Sequence, residues 1–179
     1  MGILTTFYLL EHEHFRKAIA AEDTFARFSG FRAVRTGPMY WILFQKFAPT
    51  RFGLPESYEP KRCCVDKSWA RWRPVLTATG WSDVYGTISE LTPIANPWDR
   101  EMGSVANMND ELGAMRRRLF DFDAADVSRI ALEKASKGSA LARVVDDGML
   151  EYTIGHVDAW AKWFSEHYTP EHALVVSSH

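Results

Sequence analysis

The apolar positions of this chain change their spacing from one stretch to the next. Ile3–Leu10 is a β-rich apolar run, with Phe7 and Tyr8 among branched residues, and predicts a first strand. From Glu11 to about Ala21 the pattern predicts a helix. Acids occupy its first turn, where they suit the helix dipole, and Phe15, Ala18 and Ile19 share a face. Thr36-Gly37-Pro38 reads as a helix start carrying an aromatic stripe of Tyr40, Trp41, Phe44 and Phe47. Pro49, Pro55 and Pro60 then mark an extended loop. Asp66 is placed to cap a helix that buries Trp69, Trp72 and Leu76 and ends at Gly80, with Pro74 expected to kink or split it.

From Trp81 to Met108 periodicity is weak, and the stretch reads mostly as loop, with room for a short helix or strand. The next helix opens at Asp123, where three local signals agree. These are the capping Asp123, an acid at Asp126, and a hydrophobic staple between Phe122 and Val127. Leu141–Val145 and Met149–Ile154, joined by Asp146-Asp147-Gly148, read as a hairpin. Thr153 is placed to cap a last helix with Val157, Trp160, Ala161, Phe164 and Tyr168 on one side and an Asp158–Lys162 pair on the other. Pro170 stops it, and Ala173–Ser177 reads as a final strand.

Strands and helices do not alternate regularly, which argues against a doubly wound sheet. The expectation is a single α+β domain over residues 1–179, with several helices packed on a small mixed sheet that includes the N- and C-terminal strands. The length of 179 residues fits one domain, and 46% hydrophobic with 25% charged residues excludes a disordered chain or a coiled coil. No apolar run approaches the roughly 18 residues of a membrane span. Met1-Gly2-Ile3-Leu4-Thr5-Thr6 fits the bare myristoylation pattern, but no polybasic segment follows as a second anchor, so no membrane attachment is expected.

The net charge of −2 gives no general attraction to nucleic acid, so none is expected as a partner. Charge is uneven, with 16 bases against 13 acids in residues 1–120 and 5 against 10 in residues 121–179. Two solvated faces account for it. Cys63 and Cys64 are adjacent and form no C-x-x-C, so neither zinc nor a redox dithiol is implied and a reducing, cytoplasmic setting fits.

The segment Val65-Asp66-Lys67-Ser68-Trp69-Ala70-Arg71-Trp72-Arg73-Pro74-Val75-Leu76-Thr77-Ala78-Thr79-Gly80 resembles the YfbM-like family of small bacterial proteins of unknown function. Asp66, Lys67, Trp69, Leu76 and Gly80 fall on that family's Asp-Lys-x-Trp helix and its Leu-Thr-Gly-type end. The Met1-Gly2 start before a hydrophobic strand resembles it too. So does the late helix with Trp160 and Phe164 leading into Ala173–Val176. Pro74 and Trp72 depart from the pattern, and the stretch after Trp81 has no counterpart in it. The resemblance implies an α+β fold and an intracellular bacterial setting, and it carries over no catalytic residues.

Three clusters could hold chemistry. His12-Glu13-His14 would share a metal on a strand, but on the expected helix the two imidazoles diverge by about 200°. No metal is therefore expected there, and no cofactor is implied anywhere. Trp69 and Trp72, interleaved with Arg71 and Arg73, are spaced to pack a core, and Trp72 with Arg71 is also a candidate for stacking on a planar ligand. Arg116, Arg117 and Arg118 make a solvated helix face, or a contact for phosphate or an acidic partner. The chain has no G-x-S-x-G, P-loop, G-x-G-x-x-G or H-E-x-x-H. Two functions follow as expectations. One is a non-catalytic bacterial interaction protein of the immunity or antitoxin kind, with a protein partner. The other is a small enzyme whose acid–base residues lie near His12 and His14 or in the 81–108 loop.

Overall fold

A computed structural model of the chain describes residues 5–16, 56–89, 92–93, 104–107 and 111–178. Among these residues five strands form one sheet. They are β1 (Thr5–Glu11), β2 (Lys61–Cys64), β3 (Thr92–Pro93), β4 (Ser104–Asn107) and β5 (His172–Ser178), in the order β2-β1-β5-β4-β3. The helices are α1 (Trp69–Ala78), α2 (Ser82–Ser89), α3 (Glu111–Leu119), α4 (Ala124–Lys134), α5 (Ala140–Asp146) and α6 (Leu150–His167), and residues 12–16 are helical as well. The class is α+β, and the sheet includes the strands at both ends of the chain. Every pairing is antiparallel where a mixed sheet was expected, because each described strand runs opposite to its neighbours. No helix among the described residues is long and apolar enough to cross a membrane.

The first strand forms where the sequence placed it and pairs with β5 from Thr5 opposite Ser178 to Glu11 opposite His172. Phe7 and Leu9, with their partners Val176 and Leu174, face the helical core. Tyr8, Leu10, Ala173 and Val175 lie outside that core and are buried too. Both sides of the central pair are covered, and this is why the run is continuously apolar rather than alternating.

The core is an aromatic stack. Phe7 lies 5.7 Å from Trp72 and 5.3 Å from Trp160, which continues through Phe164 to Tyr168 along α6. Such contacts add about 0.5–1.5 kcal/mol per pair beyond the area they bury. Trp69 is only half-buried where a largely buried ring was expected. It leans on Phe7, Trp72 and Tyr85 from the rim.

Asp66 does not cap α1. It opens a short 3-10 turn, Asp66–Ser68, with φ of +49°, and its carboxylate accepts a hydrogen bond from the Tyr152 hydroxyl on α6. Helix α1 then runs through Pro74 unbroken. Among its described residues, the stretch from Trp81 to Met108 holds helix α2 and the strands β3 and β4.

Asp123 caps α4 as expected. Its Oδ1 accepts from the backbone N–H of Ala125 and of Asp126, at 2.8 and 3.0 Å. A cap of this type is worth about 0.5–2 kcal/mol.

The expected hairpin over 141–154 is instead helix α5, capped by Ser139, followed directly by α6. Asp146-Asp147-Gly148 is a helix end rather than a strand turn. Gly148 takes φ of +67°, its N–H bonds Val145 O, and the N–H of Met149 bonds Val144 O. Gly80 ends α1 in the same way, with φ of +88° and the N–H of Trp81 on Leu76 O. Thr153 lies inside α6, where its hydroxyl donates to Met149 O, and so caps nothing. The expected helix from Thr36-Gly37-Pro38, its stripe Tyr40 to Phe47, Pro49 and Pro55, and the first helix beyond residue 16 lie outside the described residues.

Candidate functional site at the end of the central strands

Where β1 ends and β5 begins, the cross-strand pair Glu11 and His172 stands at the sheet margin. The chain turns there into the helical residues 12–16, and the N–H of His12 bonds the main-chain carbonyl of Glu171 at 2.7 Å. This join fixes His12 and Glu171 side by side. The Glu11 carboxylate lies 3.4 Å from His14 Nδ1 without hydrogen-bonding geometry, so that nitrogen is buried and unbonded. The Tyr58 ring meets the His14 ring edge-on at 4.4 Å. His12 Nε2 and the Tyr58 hydroxyl are buried without a hydrogen-bond partner as well. His12 also lines a cavity of about 540 Å³, with Glu11, Glu13, Arg16, Pro170 and Glu171.

Electrostatics at this margin favour uncharged rings. Burial, and after it the Glu11 carboxylate, raises the Tyr58 phenol above its ordinary value, so it stays protonated. His172 Nδ1 accepts from the Thr169 N–H at 3.2 Å and lies 2.8 Å from the Thr169 hydroxyl, which leaves its own proton on Nε2. Burial first, and then Lys61 and His12, lower the His172 pKa below its ordinary value, against Glu11 and Glu171, which act to raise it.

A pH effect follows from that direction. The unfolded chain takes up the His172 proton at a higher pH than the folded chain does. The contribution is therefore present above the unfolded pKa and is lost as pH falls through it toward the folded value. Urea midpoints of the wild type should fall between about pH 7 and pH 5 more steeply than those of His172→Asn, which keeps an acceptor for Thr169 without the titration. Parallel profiles would remove the role assigned to His172.

The other candidates sit elsewhere, and none of them lines this cavity. Trp72 is 0% exposed, and its indole N–H donates to Ser68 Oγ, so it offers no face to a ligand. Arg71 is half-buried and donates to Lys67 O. Arg116 donates to Ser165 O on α6. Arg118 lies 3.8 Å over the Trp81 ring, bonds Gly80 O and pairs with Asp83 at 3.6 Å. Those two arginines clamp α3 to its neighbours, while Arg117 is exposed. Cys63 and Cys64 are free thiols, and burial followed by the neighbouring Cys64 pushes the Cys63 thiol up to about 11. Among the described residues no three His, Cys, Asp or Glu side chains are arranged to hold a metal ion.

Sequence reasoning found His12 and His14 but missed Tyr58, Glu171 and His172. One signal was available. Antiparallel pairing of the two terminal strands carries Glu11 to the residue before Ala173, which is His172.

No family model matches the chain. No curated protein matches it either. A solved structure that does match is that of YfbM, a protein of unknown function from Escherichia coli. The match covers 98% of this chain and 99% of that one, at 12% sequence identity and a TM-score of 0.39. The resemblance of the Asp66–Gly80 segment and this structural match carry the same name.

Proposed function

We propose that this chain acts on a small ligand at the sheet-end cluster, with Glu11 and His14 as an acid–base pair and His12 and Tyr58 as hydrogen-bonding groups. The supporting observation is a pair of buried, unbonded polar atoms on rings in contact, His14 Nδ1 and the Tyr58 hydroxyl, and a third, His12 Nε2, on a residue that lines the cavity. Each such atom costs about 1–3 kcal/mol when left unpaired. Groups kept at that cost in one place mark a site whose partners arrive with the ligand. The loose Glu11–His14 contact is of the kind that tightens when substrate binds.

The test separates function from structure. Tyr58→Phe removes an unpaired hydroxyl, so its urea midpoint should equal or exceed that of the wild type. A loss above about 1 kcal/mol would show the hydroxyl in a structural bond and defeat the reading. In the wild type, amines, carboxylic acids and neutral alcohols are titrated while the ring signals of His12 and His14 are followed by NMR. At least one class should shift them, and silence across all three classes counts against the site.

A protein partner is the second reading, favoured by Phe120. This ring is 64% exposed at the end of α3, with the Arg116 guanidinium 5.3 Å above it and Arg117 exposed nearby. On this reading the chain acts as an immunity- or antitoxin-like protein, and an acidic protein partner suits that surface.

A further inference from the structure

Among the described residues, the two large apolar side chains that stand exposed are Phe120, at 64%, and Leu132, at 55%. Both lie beside α6. Leu132 borders an open hollow of about 580 Å³, whose other walls are Ala124, Ala125, Ser128 and Arg129 of α4 and Glu151 of α6. Phe120 stands just past the end of α3, four residues before α4 begins, and borders a second depression with Asp158 and Lys162 of α6. Glu151, Asp158 and Lys162 follow one another at seven and four residues, which puts them within about 20° of one line along the helix. Ring and hollow therefore open on the same side of the molecule. Their charges differ. At the hollow three acids outnumber one base, since Glu151 is in its wall and Asp126 and Glu133 both hold Arg129. Near the ring, Asp121, Asp158 and Glu166 offset Arg116, Arg117 and Lys162, but the cation that travels with the ring is Arg116, whose guanidinium lies 5.3 Å over it.

We propose that this face binds a second copy of the chain about a two-fold axis, with Phe120 of each copy seated in the α4 hollow of the other. The proposal rests on the reading of the Phe120 surface as a protein contact and names the partner. A two-fold contact needs one surface that carries both halves of the fit, and here the projecting ring and the hollow lie side by side. A single symmetry operation then covers both exposed apolar side chains, with Phe120 of one copy on Leu132 of the other. The small side chains of Ala124, Ala125 and Ser128 leave room for the phenyl ring. Arg116 enters with the ring and meets the acidic hollow, where Arg129 is already held by two carboxylates, so the charges attract. An unrelated partner would have to supply a matching knob and a matching hollow, and a second copy has both.

Sedimentation velocity on the full chain, from about 1 μM to about 1 mM, tests this. The wild type should pass from monomer to dimer as its concentration rises. Phe120→Ala removes the knob and Ala125→Trp fills the hollow, and each should weaken the dimer about tenfold or more. Both positions are exposed, so the urea midpoints should stay near that of the wild type. Mixed together, the two variants hold one intact knob and one intact hollow, and the mixture should associate more strongly than either variant alone. Arg73→Glu, on the exposed side of α1, should leave the dimer unchanged. A wild type that stays monomeric over the whole range, a dimer indifferent to both substitutions, an equal loss in Arg73→Glu, or a mixture no tighter than its parts overturns the proposal. The underlying reading is tested separately, by adding poly-glutamate and following the Phe120 ring signals by NMR. A monomeric wild type whose Phe120 signals move with poly-glutamate loses the second copy and keeps an acidic foreign partner. A monomer whose signals stay in place loses both.

Discussion

Trp72→Ala should cost about 3–5 kcal/mol, measured as the loss of unfolding free energy in urea. A protein of ordinary stability has only about 5–15 kcal/mol in total, so the variant should be close to unfolding at room temperature. The indole is fully buried between Phe7, Trp69 and Trp160, and alanine leaves a hole that three large rings cannot collapse into without breaking their own contacts. There is a polar part as well. The Trp72 N–H donates to Ser68 Oγ at 3.0 Å, and that hydroxyl donates in turn to Val65 O at 2.6 Å, all out of contact with water. Trp72→Phe keeps most of the volume and loses only the donor, so it should cost far less than alanine. If alanine and phenylalanine cost the same, the hydrogen bond and not the packing holds this position. A loss below about 1 kcal/mol for alanine would remove Trp72 from the core altogether.

Pro74→Ala should act with the opposite sign and raise stability by about 1–3 kcal/mol. Pro74 lies in the middle of α1, where it has no N–H to give the carbonyl of Ala70 and its ring crowds that carbonyl. Alanine restores the bond and has the highest helix propensity. Proline repays part of its cost by stiffening the unfolded chain, which offsets about 0.4–1 kcal/mol of the gain. The midpoint of a urea or thermal transition decides the matter. An unchanged or lowered midpoint would mean that α1 needs a relaxed turn at this point to fit against α6.

These two residues also show what the sequence could and could not convey. Trp72 was readable as core because its helical spacing with Trp69 and Leu76 is a local signal. Asp123 was readable for the same reason, since its cap is complete within three residues. Pro74 pointed to a break that the tertiary packing of Val75, Leu76 and Trp72 overrode. Asp146-Asp147-Gly148 misled because one glycine with positive φ serves both a hairpin turn and a helix end, and the branched residues before it favoured strand. Asp66 looked like a cap, but its partner is Tyr152, far along the chain. At the candidate site, His12 and His14 were visible as a pair, yet their surroundings come from Tyr58, Glu171 and His172, which only strand pairing and tertiary packing bring to them.

The position of β5 has a consequence for the order in which the molecule assembles. It lies between β1 and β4, so it alone joins the β2–β1 pair to the β4–β3 pair. The hydrogen bonds of helices α1 to α6 close within each helix, and β1 meets β2 within about sixty residues, but its other edge must wait for a partner made more than one hundred and fifty residues later. Until then one edge of an apolar strand stays open, and the two half-sheets have no common seam. Folding of the sheet is thus a late closing step. The candidate site, whose Glu11 and His172 meet across that seam, comes into existence only when it closes.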